Sequence, residues 1–595
     1  MGGKTMSFDG IVTQALVAEL KENLIGGKIN KIYQHEKDEI LLHIRNMGNN
    51  YRLLISSTSN NPRIYLTDFV KENPMTPPSF CMVLRKHLTG GRILSISQNG
   101  FDRVIHLDIS SIDELGQDTV KKLIIEIMGK HSNIILVNNG DFKIIDSIKK
   151  VNYQISRIRQ VLPGLTYENP PLQDKLNPSF YSRDDFDKLI ANSNGNMQIY
   201  KFFYQNYQGL SPLISKEICF NSNIDISRPI NSLSSEELDS LYVEFAESMD
   251  LVNQANFKPV YIEDELNNII AFHALDLNQF DQISKHFNHS ISKILDIVYY
   301  RKDKTDRVKQ KSQGIRKSIQ TKLERALNKL GKQKNELLVS LDREKYKIYA
   351  DLISANLYRI PDRSQEIVLE NFYDENMGEI TVPLDKILTP VENAQRYYKR
   401  FAKLKKAEKV LEKQIPETED EIFYLENVLV SIENSLEVED LNEIIQELTD
   451  EGYIKSKRKK KKEKEKKTFA PHQYVSRDGF KIYVGKNNKQ NEYLSLKFAH
   501  KEDIWLHVQN MPGSHVIIRS ENKELPDTTI EDAAILAAYY SKARNGKNIS
   551  VDYTERKNVR KIPNSKPGMV RYDNFSTILV SPLRENLLKI NNNKR

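Results

Sequence analysis

Cysteine and tryptophan are almost missing from this chain, with two cysteines, Cys81 and Cys219, and one tryptophan, Trp505, in 595 residues. Two cysteines make no disulfide framework and no Cys-based zinc or iron–sulfur site. Long apolar runs are missing too: no stretch approaches 18 consecutive apolar residues, which argues against a transmembrane helix. The opening MGGKTMSFDG has no apolar segment followed by a small-residue cleavage site, so no secretory signal and a cytoplasmic protein are expected. Catalytic signatures are equally scarce. There is no HExxH, CxxC or GxSxG, and no complete phosphate-binding loop. The Gly-Gly-Lys-Thr at 2–5 lacks the upstream glycine and a preceding strand, and it reads as an extension ahead of Met6. No catalytic residue, metal or cofactor is expected.

What is present is a globular composition. Apolar residues make up 39% and charged residues 28%, with 28 Tyr and 22 Phe, whereas disordered chains are poor in aromatics. At roughly 150 residues per domain the length suggests about four domains. The net charge is +8, and residues 455–467, KSKRKKKKEKEKK, carry ten basic and two acidic side chains, which is all of it. Such a run is either a solvated linker or an arm that condenses on a polyanion by releasing counterions from phosphates.

The patterning predicts a multidomain α+β protein. Over 6–170, Asp9 precedes a helical stripe (Ile11, Ala15, Leu16, Leu20), and short alternating runs follow at 28–33, 40–45, 52–56 and 63–67. A Pro-rich turn leads into the helix-like FCMVLRKHL, and the runs ILSISQ, RVIHLDI, KLIIEIMG and NIILVNN come next, separated by tight turns. Successive strands with tight turns indicate an antiparallel meander rather than βαβ units. Asn139-Gly140 is the clearest hairpin turn. Residues 171–285 are mostly helical, and two short helices joined at Gly209 read as a helix–hairpin–helix or as an ordinary αα-hairpin.

A heptad seam then appears. Ile319, Leu323, Ala326, Leu330, Gln333 and Leu337 are spaced 4, 3, 4, 3, 4, and a second seam runs from Tyr397 to Ile432. These predict coiled-coil helices over 286–360 and 391–445, separated by a strand-like cap at 361–390, as an antiparallel arm reaching roughly 75 Å for fifty residues. Pro416 within the second helix predicts a kink. A basic linker at 446–469 leads to a second α+β domain at 470–595, with strands at 481–484, 504–508, 515–519, 549–553, 568–572 and 577–580 and an Ala-rich helix ending at Gly546.

Two clusters carry possible chemistry. Asp102 and Arg103 stand together at a turn-to-strand entry, where they could be a surface ion pair or could present a forked guanidinium and an acceptor to RNA. His500, His507 and His515 surround Trp505. The histidines could be structural, RNA-facing or metal-binding, and Trp505 could be core or a platform for a base.

Several segments together resemble the NFACT family: SFDG at 7–10, GKINKIYQ at 27–34, MVLRKHL at 82–88, DR at 102–103, EIMGKHSNIILV at 126–137, LPG at 162–164 and NAQRYYKR at 393–400. So does DGFKIYVGKNNKQNEYLSLKFAHKEDIWLHVQNMPGSHVII at 478–518, with VDYT and KPGMV beyond. The match runs in order over nearly the whole chain. It implies an NFACT-N domain related in fold to the N-terminal domain of formamidopyrimidine-type DNA glycosylases, a helix–hairpin–helix, a coiled-coil middle and a C-terminal NFACT-R domain. Those glycosylases need an N-terminal proline and an adjoining glutamate, which this chain lacks, so glycosylase activity is expected to be absent.

The resemblance implies a ribosome-associated quality-control factor rather than an enzyme. It would bind the large (50S) subunit carrying a stalled peptidyl-tRNA, contacting ribosomal RNA, and recruit alanyl-tRNA for mRNA-independent alanine tailing. The ribosome would perform peptidyl transfer, a small helper factor could join the cycle, and no membrane would be involved. By the same resemblance Asp102 and Arg103 serve tRNA binding. Asp9, Lys130, His131, Ser132 and Asn133 shape or contact RNA, and Trp505, His507, Gly513, Ser514 and His515 fall in the RNA-binding module. A fibronectin-binding surface adhesin, suggested by an older family name, is the competing reading.

Overall fold

In the computed structural model, which describes residues 8–69, 76–112, 116–171, 174–265, 267–455, 470–588 and 590–592, the first helix starts where the sequence supplies an oxygen for its unpaired amides. Asp9 caps α1 (Gly10–Leu24) by accepting from the Val12 N–H at 3.0 Å. Ile11, Ala15, Leu16 and Leu20 of α1 are buried, as their spacing predicts. The extension at 1–5 and all of the basic run except Lys455 lie outside the described residues.

The chain divides into two units, Met1–Asp303 and Lys304–Arg595. The first contains two antiparallel meanders. Strands β1 (Lys28–Glu36), β2 (Glu39–Asn46), β3 (Asn49–Ser56) and β4 (Arg63–Leu66) form one sheet in sequence order. After α2 (Ser79–Leu88), strands β5 (Ile93–Gln98), β6 (Val104–Ile112), β7 (Asp118–Glu126), β8 (Asn133–Asn138) and β9 (Ile144–Ser147) form the other, again in sequence order. The five-stranded sheet is covered on both faces. Ile105, Leu107, Leu123 and Ile125 join the main core, while Val104, Ile124, Ile135 and Val137 pack with Val161 and Tyr167 in a smaller one. The β8–β9 hairpin exists, but its loop is wider than the two-residue turn expected at Asn139-Gly140. The left-handed residue is Phe142 (φ 54°), and the Asn138 N–H bonds to Lys143 O.

Helices α3 (Arg183–Asn192), α4 (Ile199–Asn206), α5 (Pro212–Asn221) and α6 (Ser235–Asn253) follow, the last begun by a Ser234/Glu237 capping box. The hairpin at Gly209 joins α4 to α5. A three-stranded sheet then appears that the composition did not announce: β10 (Val260–Glu263), β11 (Ile269–His273) and β12 (Ser284–Phe287), with β10 central.

Helix α7 (Ile291–Leu341) ends earlier than the coiled-coil pattern implies, and α8 (Glu344–Ala355) is separate. The cap holds a single hairpin, β13 (Glu366–Glu370) with β14 (Glu379–Pro383). Helix α9 (Pro390–Asn434), started by a Thr389/Glu392 capping box, continues through Pro416, and α10 (Val438–Asp450) follows. Within the second unit the contacts Arg316–Glu433 and Lys334–Glu419, followed just beyond α7 by Arg343–Glu408, show that residue numbers rise along α7 as they fall along α9, so the two run antiparallel. The predicted seam is the buried stripe: Ile319, Ala326 and Gln333 are enclosed, and Leu323 packs against them.

The C-terminal sheet has seven strands. They are β15 (His472–Val475), β16 (Lys481–Val484), β17 (Ile504–Val508), β18 (Val516–Ile518), β19 (Ile549–Glu555) and, after the separate ribbon β20 (Val559–Lys561) and β21 (Val570–Tyr572), β22 (Ser576–Val580) and β23 (Asn591–Asn592). The Ala-rich α12 (Asp527–Tyr539) packs on it, and α11 (Asn488–Tyr493) lies between β16 and β17 in the chain. The Ala-rich helix stops at Tyr539 rather than near Gly546 because the backbone beyond it pairs sideways. Tyr540 O accepts from the Ser514 N–H, and the Lys542 N–H donates to Pro512 O.

Candidate nucleic-acid interface

In the first unit, the connections β5–β6 (99–103) and β7–β8 (127–132) emerge at the same end of the five-stranded sheet, since antiparallel neighbours turn at alternate ends. Register holds them side by side: Val104 faces Glu126, and the Ile127 N–H donates to Arg103 O at 2.9 Å. Both family-signature loops therefore share one edge.

The 99–103 turn is clamped from three directions. Gln98 Nε2 donates to Asp102 O (2.8 Å) and to Gly10 O (3.2 Å), and Gln208 Oε1 accepts from the Phe101 N–H at 3.2 Å. Behind the turn the backbones of α1 and of the helical hairpin meet, with the Gly10 N–H donating to Gly209 O at 2.7 Å. No side chain fits there. A Cβ at Gly10 would sit 2.4 Å from Phe101 O, and one at Gly209, whose φ is +70°, would sit 2.0 Å from the same atom.

Within this frame Asp102 and Arg103 do not pair through their side chains. Asp102 Oδ1 accepts from the Arg103 N–H at 2.7 Å, so the carboxylate folds back on its own turn. The half-buried Arg103 guanidinium makes no hydrogen bond or ion pair among the described residues. Lys175 lies within electrostatic range of both and donates from Nζ to Tyr204 O at 3.0 Å. Burial, then Arg103, pulls the Lys175 pKa below its ordinary value, with Asp102 opposing. The site is a forked donor with an ammonium beside it, suited to phosphate or base edges.

The remaining signature residues separate by burial. Lys130 and His131 are exposed at the tip of the β7–β8 connection. Ser132 and Asn133 are buried and face inward: Ser132 Oγ accepts from the Met128 N–H, and Asn133 joins the Lys149 backbone through both ends of its amide. Asp9 is 3% exposed, and its Oδ2 accepts from Ser211 Oγ (2.6 Å) and lies 3.2 Å from His273 Nε2. Burial raises the Asp9 pKa, but His273 and these hydrogen bonds outweigh it and hold the carboxyl below its usual value. Of the two roles the resemblance leaves open for Asp9, Ser132 and Asn133, their internal hydrogen bonds favour shaping the loops over touching RNA, because these polar atoms already have partners inside the fold. Sequence reasoning missed Gln98, Lys175, Gln208, Ser211 and His273, which no local pattern links to the signature loops.

The second unit holds a cavity of about 200 Å³ between α9, the start of α11, β17–β18 and the β20–β21 ribbon. Trp505, His507 and His515 line its inner wall, and Phe423, Asn510, Ile562 and Met569 stand around it. Trp505 is fully buried, its Nε1 donating to Ser495 Oγ at 2.9 Å, which matches the core alternative and makes it the inner wall of the cavity. His507 stacks on Trp505 at 5.8 Å between centroids and meets His515 edge-on at 5.2 Å. Ser495 Oγ lies 2.7 Å from His515 Nδ1, and Ser514 Oγ donates to Gly485 O at 2.7 Å, which makes Ser514 structural. Burial lowers the His507 pKa to about 4. Burial and then His507 take His515 well below the usual imidazole value, so both rings are neutral near pH 7. Gly513 closes the wall by donating its N–H to Asn427 Oδ1 at 2.8 Å. His500 stands apart, its backbone N–H bonded to Asp503. Among the described residues no group of three or more His, Cys, Asp or Glu side chains is placed to hold a metal, and no helix is long and apolar enough to cross a membrane.

Comparison with known proteins agrees with the motifs. The family model for NFACT N-terminal and middle domains matches residues 9–467, and the model for the NFACT protein RNA binding domain matches 470–574. The Rqc2 homolog RqcH of Bacillus subtilis is 37% identical over 592 residues, covering 98% of this chain and all of that protein. The human ribosome quality control complex subunit NEMF is 31% identical over 131 residues, 22% of this chain and 11% of that protein. Among solved structures, the N-terminal part of the fibronectin/fibrinogen-binding protein from Streptococcus suis is 33% identical, covering 49% of this chain and 99% of that one at a TM-score of 0.41. Two domain models in succession and a full-length relative at this identity establish that the chain belongs to the NFACT family.

Proposed function

We propose that this protein binds large (50S) ribosomal subunits that carry a stalled peptidyl-tRNA. There it recruits alanyl-tRNA, so that the ribosome adds a C-terminal alanine tail without mRNA and the product is marked for proteolysis. Its role in ribosome quality control follows from the near-full-length similarity to RqcH. The finer assignment rests on the family resemblance together with one observation: Arg103 keeps a guanidinium uncommitted among the described residues, on a turn that Gln98, Gln208 and Gly10 hold rigidly. Rigid placement of an unpaired forked donor is what recognition of a phosphate or base edge requires, and it adds orientation rather than chemistry. Arg103, Asp102, Lys130 and His131 are the residues proposed to meet tRNA. No group here is assigned a catalytic step, and the cytoplasm is the proposed compartment.

The adhesin reading has no observation in its favour among the described residues; fibronectin and fibrinogen belong to the name of the Streptococcus suis protein. The deciding experiment is purification from native cells with sequencing of the co-purifying RNA, comparing wild type with an Asp102→Ala, Arg103→Ala double variant. Large-subunit ribosomal RNA with an alanine tRNA, the tRNA lost in the variant, is the expected result. Retention of the tRNA by the variant would refute the site, and enrichment of neither RNA would refute the function.

A further inference from the structure

We propose that the cavity in the C-terminal unit receives a single unpaired base of RNA. This rests on the RNA-binding reading of the domain that spans 470–574. Size is the first argument. An engineered cavity of about 150 Å³ accepts benzene, so about 200 Å³ admits one heterocycle and no larger part of a nucleotide chain.

Charge is the second argument. Among the described residues no lysine, arginine or carboxylate lines the cavity, and both imidazoles in its wall are neutral near pH 7. A phosphate would meet no counter-charge there, and neither would an ammonium group. The third argument is the mixture of surfaces. Phe423, Met569 and Val570 offer apolar contact, while the exposed Asn510 offers a donor and an acceptor, and His507 and Asn488 add polar atoms partly engaged with the Gly513 and Val508 backbone and with Glu447. A purely apolar ligand would strip water from those polar groups without replacing it, at a cost of about 1–3 kcal/mol for each group left unpaired. A planar ring with a hydrogen-bonding rim satisfies both kinds of surface.

The ribbon beside the cavity supplies the complement. Strand alternation turns Val570 and Tyr572 of β21 toward the cavity and Arg571 to the opposite face, where it stands directly across from Arg560 of β20. Both arginines are exposed, Arg571 at 81%. Asp573 Oδ1, 3.9 Å from Arg571 Nε, offsets that charge in part, while Arg560 makes no ion pair among the described residues, so the two like charges directly opposite still favour an anion upon them. An RNA backbone following the ribbon would supply that anion while one base turns into the cavity.

Trp505 is the only tryptophan in the chain and forms the inner wall, so its emission reports this cavity alone. The test titrates the full chain with single-stranded ribonucleotide hexamers of each base and with an abasic hexamer of the same charge. At least one base-bearing hexamer should change Trp505 emission saturably and bind about tenfold or more tightly than the abasic one, as one enclosed base would supply. Val570→Phe, which fills the cavity, should remove that preference, whereas Arg560→Ala should weaken both hexamers alike. Thio-substituted bases should photo-crosslink to peptides within 505–515 or 562–572, a readout that does not depend on any variant folding.

Equal affinity for base-bearing and abasic hexamers with unchanged emission would overturn the proposal. So would a preference that survives Val570→Phe, or an emission change produced only by peptides. Recovery of ribosomal RNA from cells is a separate readout. A base preference without ribosomal RNA would sink the ribosomal role and leave the cavity, and the converse would sink the cavity alone.

Discussion

The contact between Gly10, Gly209 and the Phe101 carbonyl can be tested by three alanine substitutions that separate strain from collision. Gly90 has φ +87° with nothing within 4 Å of a built Cβ, so Gly90→Ala carries only the left-handed penalty of about 1–2 kcal/mol. Gly10 begins α1 without a positive φ, so Gly10→Ala carries only the collision at 2.4 Å, worth about 1–3 kcal/mol because the obstacle is backbone. Gly209→Ala carries both terms, φ +70° and a 2.0 Å approach, and should cost about 2–5 kcal/mol.

The obstacle is the turn that carries Arg103, so relief of the collision should displace the site. The assay is native-state hydrogen exchange on the full chain, read at the amides of β6 and β7, with tRNA retention measured alongside. The expected order of destabilisation is Gly209→Ala beyond either of the others, with tRNA retention impaired in Gly10→Ala and Gly209→Ala and preserved in Gly90→Ala. If Gly209→Ala merely equals Gly90→Ala, or if both site variants retain tRNA as wild type does, the three-way contact does not position the turn.

Further outcomes follow from the same geometry. Arg103→Ala should leave hydrogen-exchange stability within about 0.5 kcal/mol, since its guanidinium holds nothing in the fold, yet should lower tRNA retention; a large stability loss would mark it as structural. His507 is neutral in the fold down to about pH 4 but protonates near 6.5 when unfolded. Between those values the unfolded chain binds more protons, so acidification should remove up to about 3 kcal/mol from the C-terminal unit. Exchange in β17 and β18 should follow that loss, and His507→Gln should make the pH slope shallower. Gln333 sits in the helical seam with Oε1 unpaired and Nε2 3.3 Å from Gln414 Oε1. Gln333→Leu should raise the denaturant midpoint of the helical signal by about 1 kcal/mol equivalent, because the exposed Gln414 can turn to water.

The parts of the fold that were readable are those whose physics is local. The α1 cap at Asp9, the meander of 28–147 and the seam through Ile319, Ala326 and Gln333 depend on spacings of two, three or four residues. The strands β10–β12 escaped because β12 alternates almost nothing, with its residues mostly exposed. The end of α12 escaped because it is decided by the 512–514 backbone, far away in sequence. The proposed site was named from residue types at Asp102 and Arg103, while the groups that support their turn were not legible. Asp9 reaches Ser211 and His273 across 202 and 264 positions, a distance at which periodicity carries no information.

The same distinction sorts the signature residues themselves. Motif matching alone ranks Asp9, Arg103, Ser132 and Lys130 together, since all recur in the family pattern. Geometry divides them by whether a polar side chain already has its partners. Asp9 and Ser132 do, and moving either toward RNA would leave buried donors unpaired at about 1–3 kcal/mol each. Arg103 and Lys130 forgo no internal hydrogen bond by binding outward. An interaction surface is therefore best sought where a rigidly held backbone carries an uncommitted polar head. In this unit that condition is met at the β5–β6 turn, whose backbone is clamped while its arginine has no hydrogen-bond or ion-pair partner among the described residues.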